Sequence, residues 1–269
     1  MKELILAVSS LSGLGLVFGV LLAWTSKKFH VDEDPRVVKI KELLPGANCG
    51  ACGLAGCASF AESLVEKTTE LSFCVACSGE SKQKITEVLG LSGDCAQNSV
   101  KKIAVIACGG GTRCKDKFAY NGLADCRAAA LALGGNKECQ FACLEQGTCI
   151  SACPFDAIKM TEEGVPKVIG NLCKGCEKCV AVCPRKIIYM ITPKSKNKFN
   201  VIIRCSSQEK GAPAMKKCKV SCIACGKCVN VCPVKAITIQ NNLAVIDYTK
   251  CIGCKKCVDV CPTKVIAVI

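Results

Sequence analysis

Aromatic residues make up only 4% of this 269-residue chain, too few for a large aromatic-rich core. There is one histidine, His30, which beside a long apolar segment reads as an interfacial polar residue, and no Ser-His-Asp constellation stands out. No GxGxxG follows a strand. Gly109-Gly110-Gly111 does follow one, but its spacing is wrong for a dinucleotide loop. No paired-carboxylate constellation stands out. The chain therefore shows no machinery for hydride or acyl chemistry of its own, and no site for a small-molecule substrate.

What it has in excess is cysteine, 27 residues. That density means either a disulfide scaffold or a metal and cluster protein. The count is odd, and closely spaced C-x2-C-x2-C triplets pair badly as disulfides. The formal charge of +14 would ordinarily suggest nucleic acid or anionic lipid. Five cubane cores with four thiolates each would carry about ten negative charges and bring the loaded protein to about +4, so no nucleic-acid partner is expected.

One long apolar run is present. Leu4–Trp24 carries no charge and matches the ~20 residues a helix needs to cross a bilayer. Trp24 sits where an interfacial aromatic belongs, and Lys27 and Lys28 follow. This bias places the remainder of the chain in the cytoplasm, behind a single-pass anchor in the cell membrane. The weak n-region and the lack of an A-x-A site argue against a cleaved signal peptide. Gly15 and Gly19 form a GxxxG, a weak signal for packing on another membrane helix.

The expected organisation is α+β: an anchor at 1–28, a small four-cysteine domain at 29–93, a linking segment at 94–138, a ferredoxin-like lobe at 139–191, a connecting segment at 192–217 and a second lobe at 218–269. Asp34-Pro35 should start a short helix that Pro45-Gly46 ends. Lys82–Leu91 and Gly122–Leu133 read as helices, and Val100–Ala107 and Phe199–Arg204 as strands. The two lobes are internal repeats: CKGCEKCVAVCPRKIIYMI at 173–191 returns as CIGCKKCVDVCPTKVIAVI at 251–269, and ACPFDAIKM at 152–160 as VCPVKAITI at 231–239.

The run C-x2-C-x2-C-x3-C-P is that of two-cluster bacterial ferredoxins, whose fourth cysteine ligates the other cluster of the pair. Three thiolates on a tight loop hold three irons, and the fourth crosses over. In the last lobe one [4Fe–4S] cluster is expected on Cys222, Cys225, Cys228 and Cys261, and its partner on Cys251, Cys254, Cys257 and Cys232. Zinc can occupy a lone CxxC, but not in this duplicated crossover pattern. In the first lobe Cys173, Cys176, Cys179 and Cys153 form one set. Its mate has Cys143, Cys149 and Cys183, but Gln146 stands in the middle cysteine's place; the nearest spare thiol, Cys139, is taken as the substitute. The first block offers Cys49, Cys52, Cys57 and Cys74, with Cys77 a rival to Cys74 and glycines that allow close backbone approach. Cys108 and Cys205 each end a strand-like run, with Cys126 and Cys218 a short way after, so a sixth set of Cys108, Cys126, Cys205 and Cys218 is a further expectation. Cys77, Cys95 and Cys114 receive no role.

The membrane helix, the CGACGLAGC domain and the duplicated CP runs together resemble the B subunit of the Rnf complex, the ion-translocating ferredoxin:NAD⁺ oxidoreductase, in its long many-cluster form. The resemblance spans essentially the whole chain, and the family's usual four-cysteine set matches Cys49, Cys52, Cys57 and Cys74. It implies an iron–sulfur electron relay that takes electrons from soluble reduced ferredoxin and passes them to membrane subunits and to the flavin-bearing subunit of the complex, where the hydride step belongs. The competing readings are a relay subunit of another oxidoreductase, such as a hydrogenase, and a secreted disulfide-rich protein.

Overall fold

A computed structural model describes residues 2–29, 34–90, 102–192 and 201–269. His30, Cys95 and the outer ends of both expected strands lie outside them.

Helix α1 runs from Lys2 to Lys28. By length and composition Ser10–Lys28 is able to cross a membrane, and none of it is buried against the rest of the chain. Leu11, Leu16 and Leu22 are exposed along it, so among the described residues its apolar surface from Ser10 onward has no covering partner. At its end the Lys28 ammonium lies 4.9 Å from the Trp24 ring.

Helix α2, Pro35–Leu43, begins as expected: the Asp34 carboxylate accepts from the Arg36 N–H, with Pro35 in the first turn. It packs with α3 (Cys57–Val65) and α4 (Gly79–Leu89), whose Ser78 cap accepts from the Ser81 N–H and whose Gly90 ends it in the left-handed region. Ile40, Phe60, Leu64 and Ile85 form the core between them. That core is small, and Cys49, Cys52, Cys57, Cys74 and Cys77 complete it.

The remainder is built twice. The first half has β1 (Ile103–Ile106), α5 (Cys126–Leu131), α6 (Thr148–Ser151), β2 (Ile158–Met160), β3 (Pro166–Val168), α7 (Lys178–Val182) and β4 (Ile188–Ile191). The second has β5 (Val201–Ile203), α8 (Gly211–Lys217), α9 (Lys227–Asn230), β6 (Ile237–Gln240), β7 (Leu243–Ile246), α10 (Lys256–Asp259) and β8 (Ile266–Val268). In each half the first strand pairs antiparallel with the last, Ile103 with Ile191 and Val201 with Val268. Each also holds a hairpin, β2–β3 and β6–β7. The strands of the linking and connecting segments are thus hydrogen-bonded into the lobes that follow them.

The two halves meet through these terminal strands. Val105, Ile191 and Ile202 form a buried cluster between them, with Tyr189, Tyr248 and Ala267 packed on it, and the Tyr189 and Tyr248 hydroxyls are 3.2 Å apart. On the opposite side the first half touches the four-cysteine domain. Phe155 packs against both cores, and Lys178 Nζ donates to the Asn48 carbonyl at 3.2 Å.

The helix expected over 122–133 is shorter. Asp125 caps it by accepting from the Arg127 and Ala128 N–H groups. Ahead of that, the Tyr120 hydroxyl donates to the Leu123 carbonyl in a loop. The chain leaves the helix at Ala132, and Leu133 has φ +51.

Candidate metal centres

The cluster loops share one local conformation. In the second C-x2-C step of each run the helix starts one residue before the closing cysteine, and the residue ahead of it is left-handed: Glu177, Gly226 and Lys255, with φ of 63°, 73° and 65°. Gly147 takes the same place with φ 74° ahead of α6. The loop therefore keeps its shape at Gln146 although the cysteine is missing; Gln146 Nε2 turns back to donate to the Leu144 carbonyl.

Three sets of four thiols each line a small cavity. Cys153, Cys173, Cys176 and Cys179 line one, and Cys222, Cys225, Cys228 and Cys261 another. The third is lined by Cys126, Cys143, Cys149 and Cys183. The three cavities are alike in size, about 20 Å³ each, as suits one kind of core. The two sets expected from the complete ferredoxin runs are brought together. In the third, Cys126 stands where Cys139 was expected. Asp125 fixes the start of α5, and the Cys126 N–H donates to Thr148 Oγ1 at 2.6 Å, which docks the thiol against the Cys149 helix. Cys139 lies instead in thiol contact with Cys114.

Cys232, Cys251, Cys254 and Cys257 belong to the last half, where Cys232, Cys251 and Cys257 are gathered in its core; the Cys232 sulfur accepts from the Ala236 N–H at 3.3 Å. In the first domain Cys49, Cys52, Cys57 and Cys74 are packed around α3. Asn48 Oδ1 accepts from the Cys57 N–H at 2.8 Å. Cys74 and its rival Cys77 are in thiol contact: the Cys77 thiol donates to the Cys74 sulfur, which lowers Cys74 and raises Cys77.

Burial pushes the thiols of Cys143, Cys149 and Cys179 up, Cys149 to about 11 and Cys179 to about 12, with neighbouring thiols adding to it. Four such groups deprotonate together only against a cationic core. Among the described residues no three His, Cys, Asp or Glu side chains converge as ligands of a single ion do, whereas a zinc site needs sulfurs at ~2.3 Å from one point. The rings of thiols around cavities fit a multi-iron core.

Of the expected sixth grouping, Cys108, Cys205 and Cys218 lie near one another, while Cys126 lines the third cavity instead. A signal in the sequence points the same way: CQFAC at 139–143 and CKVSC at 218–222 are equivalent stretches. Cys218 is spare in a lobe that already has its full ligands, so Cys139 should be spare as well.

Comparison with known proteins agrees with this layout. The family profile described as "Putative Fe-S cluster" matches residues 44–76, that of the 4Fe-4S binding domain matches 170–186, and that of the 4Fe-4S dicluster domain matches 221–265. The chain is 41% identical to the B subunit of the Na(+)-translocating ferredoxin:NAD(+) oxidoreductase complex of Acetobacterium woodii, covering 93% of this chain and 73% of that protein. It is 38% identical to the B subunit of the ion-translocating oxidoreductase complex of Methanosarcina acetivorans, over 92% of this chain and 91% of that one. With the corresponding proton-translocating complex's B subunit from Clostridium ljungdahlii the identity is 36%, over 92% and 85%. The mixed helix and strand fold, the 4Fe–4S domains and these relatives together show that the chain belongs to the family of B subunits of the ion-translocating, or Rnf, oxidoreductase complexes.

Proposed function

We propose that this chain is a membrane-anchored wire of [4Fe–4S] clusters that accepts single electrons from reduced ferredoxin and delivers them to partner subunits of the complex at the membrane. Helix α1 is its single-pass anchor, and the body stands on the cytoplasmic side. The ligand sets are Cys49, Cys52, Cys57 and Cys74; Cys126, Cys143, Cys149 and Cys183; Cys153, Cys173, Cys176 and Cys179; Cys222, Cys225, Cys228 and Cys261; and Cys232, Cys251, Cys254 and Cys257. The clusters supply reversible one-electron chemistry when bound. The protein's residues hold them, donate N–H groups to their sulfurs and exclude water.

The observation that carries this reading is the linear order of the thiol sets. Among the described cysteines only Cys225 and Cys254 are exposed, and both lie in the last half. At the other end Cys176 faces Cys49 across the junction held by Lys178 and Asn48, and that domain follows the anchor directly. Electrons would enter at the exposed end and leave beside the membrane. Lysines sit around the exposed thiols: Lys219, Lys227 and Lys256 are exposed and Lys255 is half-exposed. Lys178 is turned to the internal junction, and Lys174 lines the cleft beside it, so those two are not part of the docking face.

A variant lacking residues 1–30, prepared without oxygen, tests the reading. It should be soluble and brown, with about 20 or more iron atoms per chain, and reduced ferredoxin should bleach it. Eight or fewer irons, or no reduction by ferredoxin, overturns it.

A further inference from the structure

The four-cysteine domain and the first ferredoxin-like half do not close fully on each other. Lys178 and Phe155 tie them together, yet a cleft of about 870 Å³ stays open between them. Its walls come from two cluster loops. One is the turn from Cys49 to Gly53 and the other the run from Lys174 to Ala181, with Val75 and Lys102 completing the lining. A thiol of a proposed ligand set stands in each wall, Cys49 in one and Cys176 in the other. The two are close enough for a charge on Cys49 to act on Cys176. The rest of the lining is small. Gly50 and Gly53 have φ of +70 and +83, and a Cβ on Gly53 would meet nothing within 4 Å, so this turn offers bare backbone to whatever enters. Gly175, at φ +74, makes room for the Lys102 carbonyl, which would lie 2.9 Å from a Cβ there. Lys102 is thereby set against the loop that carries Cys173 and Cys176.

The charge of this cleft is one-sided. Lys102 and Lys174 are exposed in it, and Lys178 is engaged by the Asn48 carbonyl. Glu177 is the one carboxylate of the lining. It lies 4.0 Å from Lys102 Nζ, an exposed pair that binds weakly. Lys174 is in no ion pair among the described residues. The lining has no aromatic ring and no hydroxyl or amide side chain with which to grip a small molecule. An open cleft of small residues, rimmed by Val75 and lysines, suits a protruding protein loop that carries carboxylates.

We infer that this cleft is the exit dock of the relay, and that it receives an acidic surface loop of a partner subunit bearing a flavin or iron–sulfur centre. This rests on the relay reading above. The carboxylates of that loop take Lys102 and Lys174 as counter-ions, which orients the partner and steers its approach. The small lining lets the partner's centre come close to the Cys49 wall. The step moves one electron: the site at Cys49, Cys52, Cys57 and Cys74 loses it, the partner's centre gains it, and no atom of this chain is transferred. The lysines of this cleft and those around Cys225 and Cys254 thus serve two different acidic partners at the two ends of the chain.

The test uses the purified complex and the isolated full-length chain, both prepared in detergent without oxygen. A carbodiimide joins lysines to carboxylates in direct contact. In the complex, mass spectrometry should find Lys102 or Lys174 joined to an Asp or Glu of another subunit. Acetylation of Lys102 and Lys174, ready in the isolated chain, should be lost in the complex. The double variant Lys102→Glu, Lys174→Glu reverses the sign of the cleft. In the complex its clusters should still be bleached by reduced ferredoxin at the wild-type rate, while onward delivery to the partner slows roughly tenfold at low salt and recovers as salt screens the repulsion. Absence of any cross-link from both lysines, with equal acetylation in chain and complex, overturns the inference. So does onward delivery indifferent to the charge reversal, or protection of the two lysines in the isolated chain by flavin mononucleotide alone. The wild-type cross-links and acetylation decide even if the variant fails to assemble. Failure of the relay reading looks different: ferredoxin would then reduce no cluster in the wild type.

Discussion

Charge reversal at the exposed end of the chain, Lys255→Glu with Lys256→Glu, isolates the docking step. These residues lie between Cys254 and Cys257, and Cys254 is exposed. Each substitution changes the local charge by two units, four in all. Against one acidic group of ferredoxin at a separation of ~10 Å, a unit pair in water interacts by ~0.4 kcal/mol before screening. The screening length is ~30 Å at 10 mM salt, ~8 Å at 0.15 M and ~3 Å at 1 M. Four units then slow association about eightfold at 10 mM and about twofold at 0.15 M, and leave it unchanged at 1 M. More acidic groups at the interface steepen the first two values. The effect falls on the rate of encounter more than on affinity. Stopped-flow bleaching of the clusters by reduced ferredoxin across that salt series reads it directly. A rate indifferent to both salt and substitution refutes docking at this face, and equal slowing at all salts shows that the substitutions damaged a cluster instead.

Three other outcomes follow from the described contacts. Cys74→Ser should lose about four iron atoms from the first domain, whereas Cys77→Ala should keep them and lower that cluster's reduction potential, since a donor to the Cys74 sulfur is gone; iron analysis with a potentiometric titration separates the two. Thr148→Val leaves the Cys126 N–H without its acceptor in a part-buried place, at a cost of about 1–3 kcal/mol, and should make the cluster at Cys126–Cys183 the most easily extracted by chelator. At Gly111 the backbone has φ +51, and a Cβ would fall 1.8 Å from the Glu163 carbonyl oxygen; Gly111→Ala should destabilise the protein by about 1–3 kcal/mol from the conformation alone, more with the clash, seen as a lower midpoint in denaturant.

Much of this layout was legible in the cysteine spacing because cluster ligation is a local matter. A C-x2-C-x2-C loop dictates its own turn, so the complete runs at 222–232 and 251–261 could be paired on paper. The crossing of their fourth cysteines follows from the same turn. The helix after Asp34-Pro35 was legible for a similar reason, since its cap and its proline lie within three residues. What could not be read was any ligand supplied from far along the chain. Cys126 reaches its cavity because α5 is docked by one hydrogen bond to Thr148, twenty-two residues away. Cys114 and Cys218 are brought together by backbone pairing of residues 113–115 with 217–219, a contact between halves that no spacing rule encodes. Nearness in sequence favours Cys139 as the partner of Cys143, whereas the fold sets Cys126 beside Cys143, Cys149 and Cys183.

The pairing of the halves through Tyr189 and Tyr248 has a further consequence. In the proposed relay, centres strung one after another would behave as resistors in series, with the slowest hop fixing the throughput. Oxygen attacking the accessible sulfurs at both Cys225 and Cys254 would disconnect every centre behind them while leaving those intact. Such a protein would stay brown and folded yet fall silent, and replacing only its outermost cores would restore it.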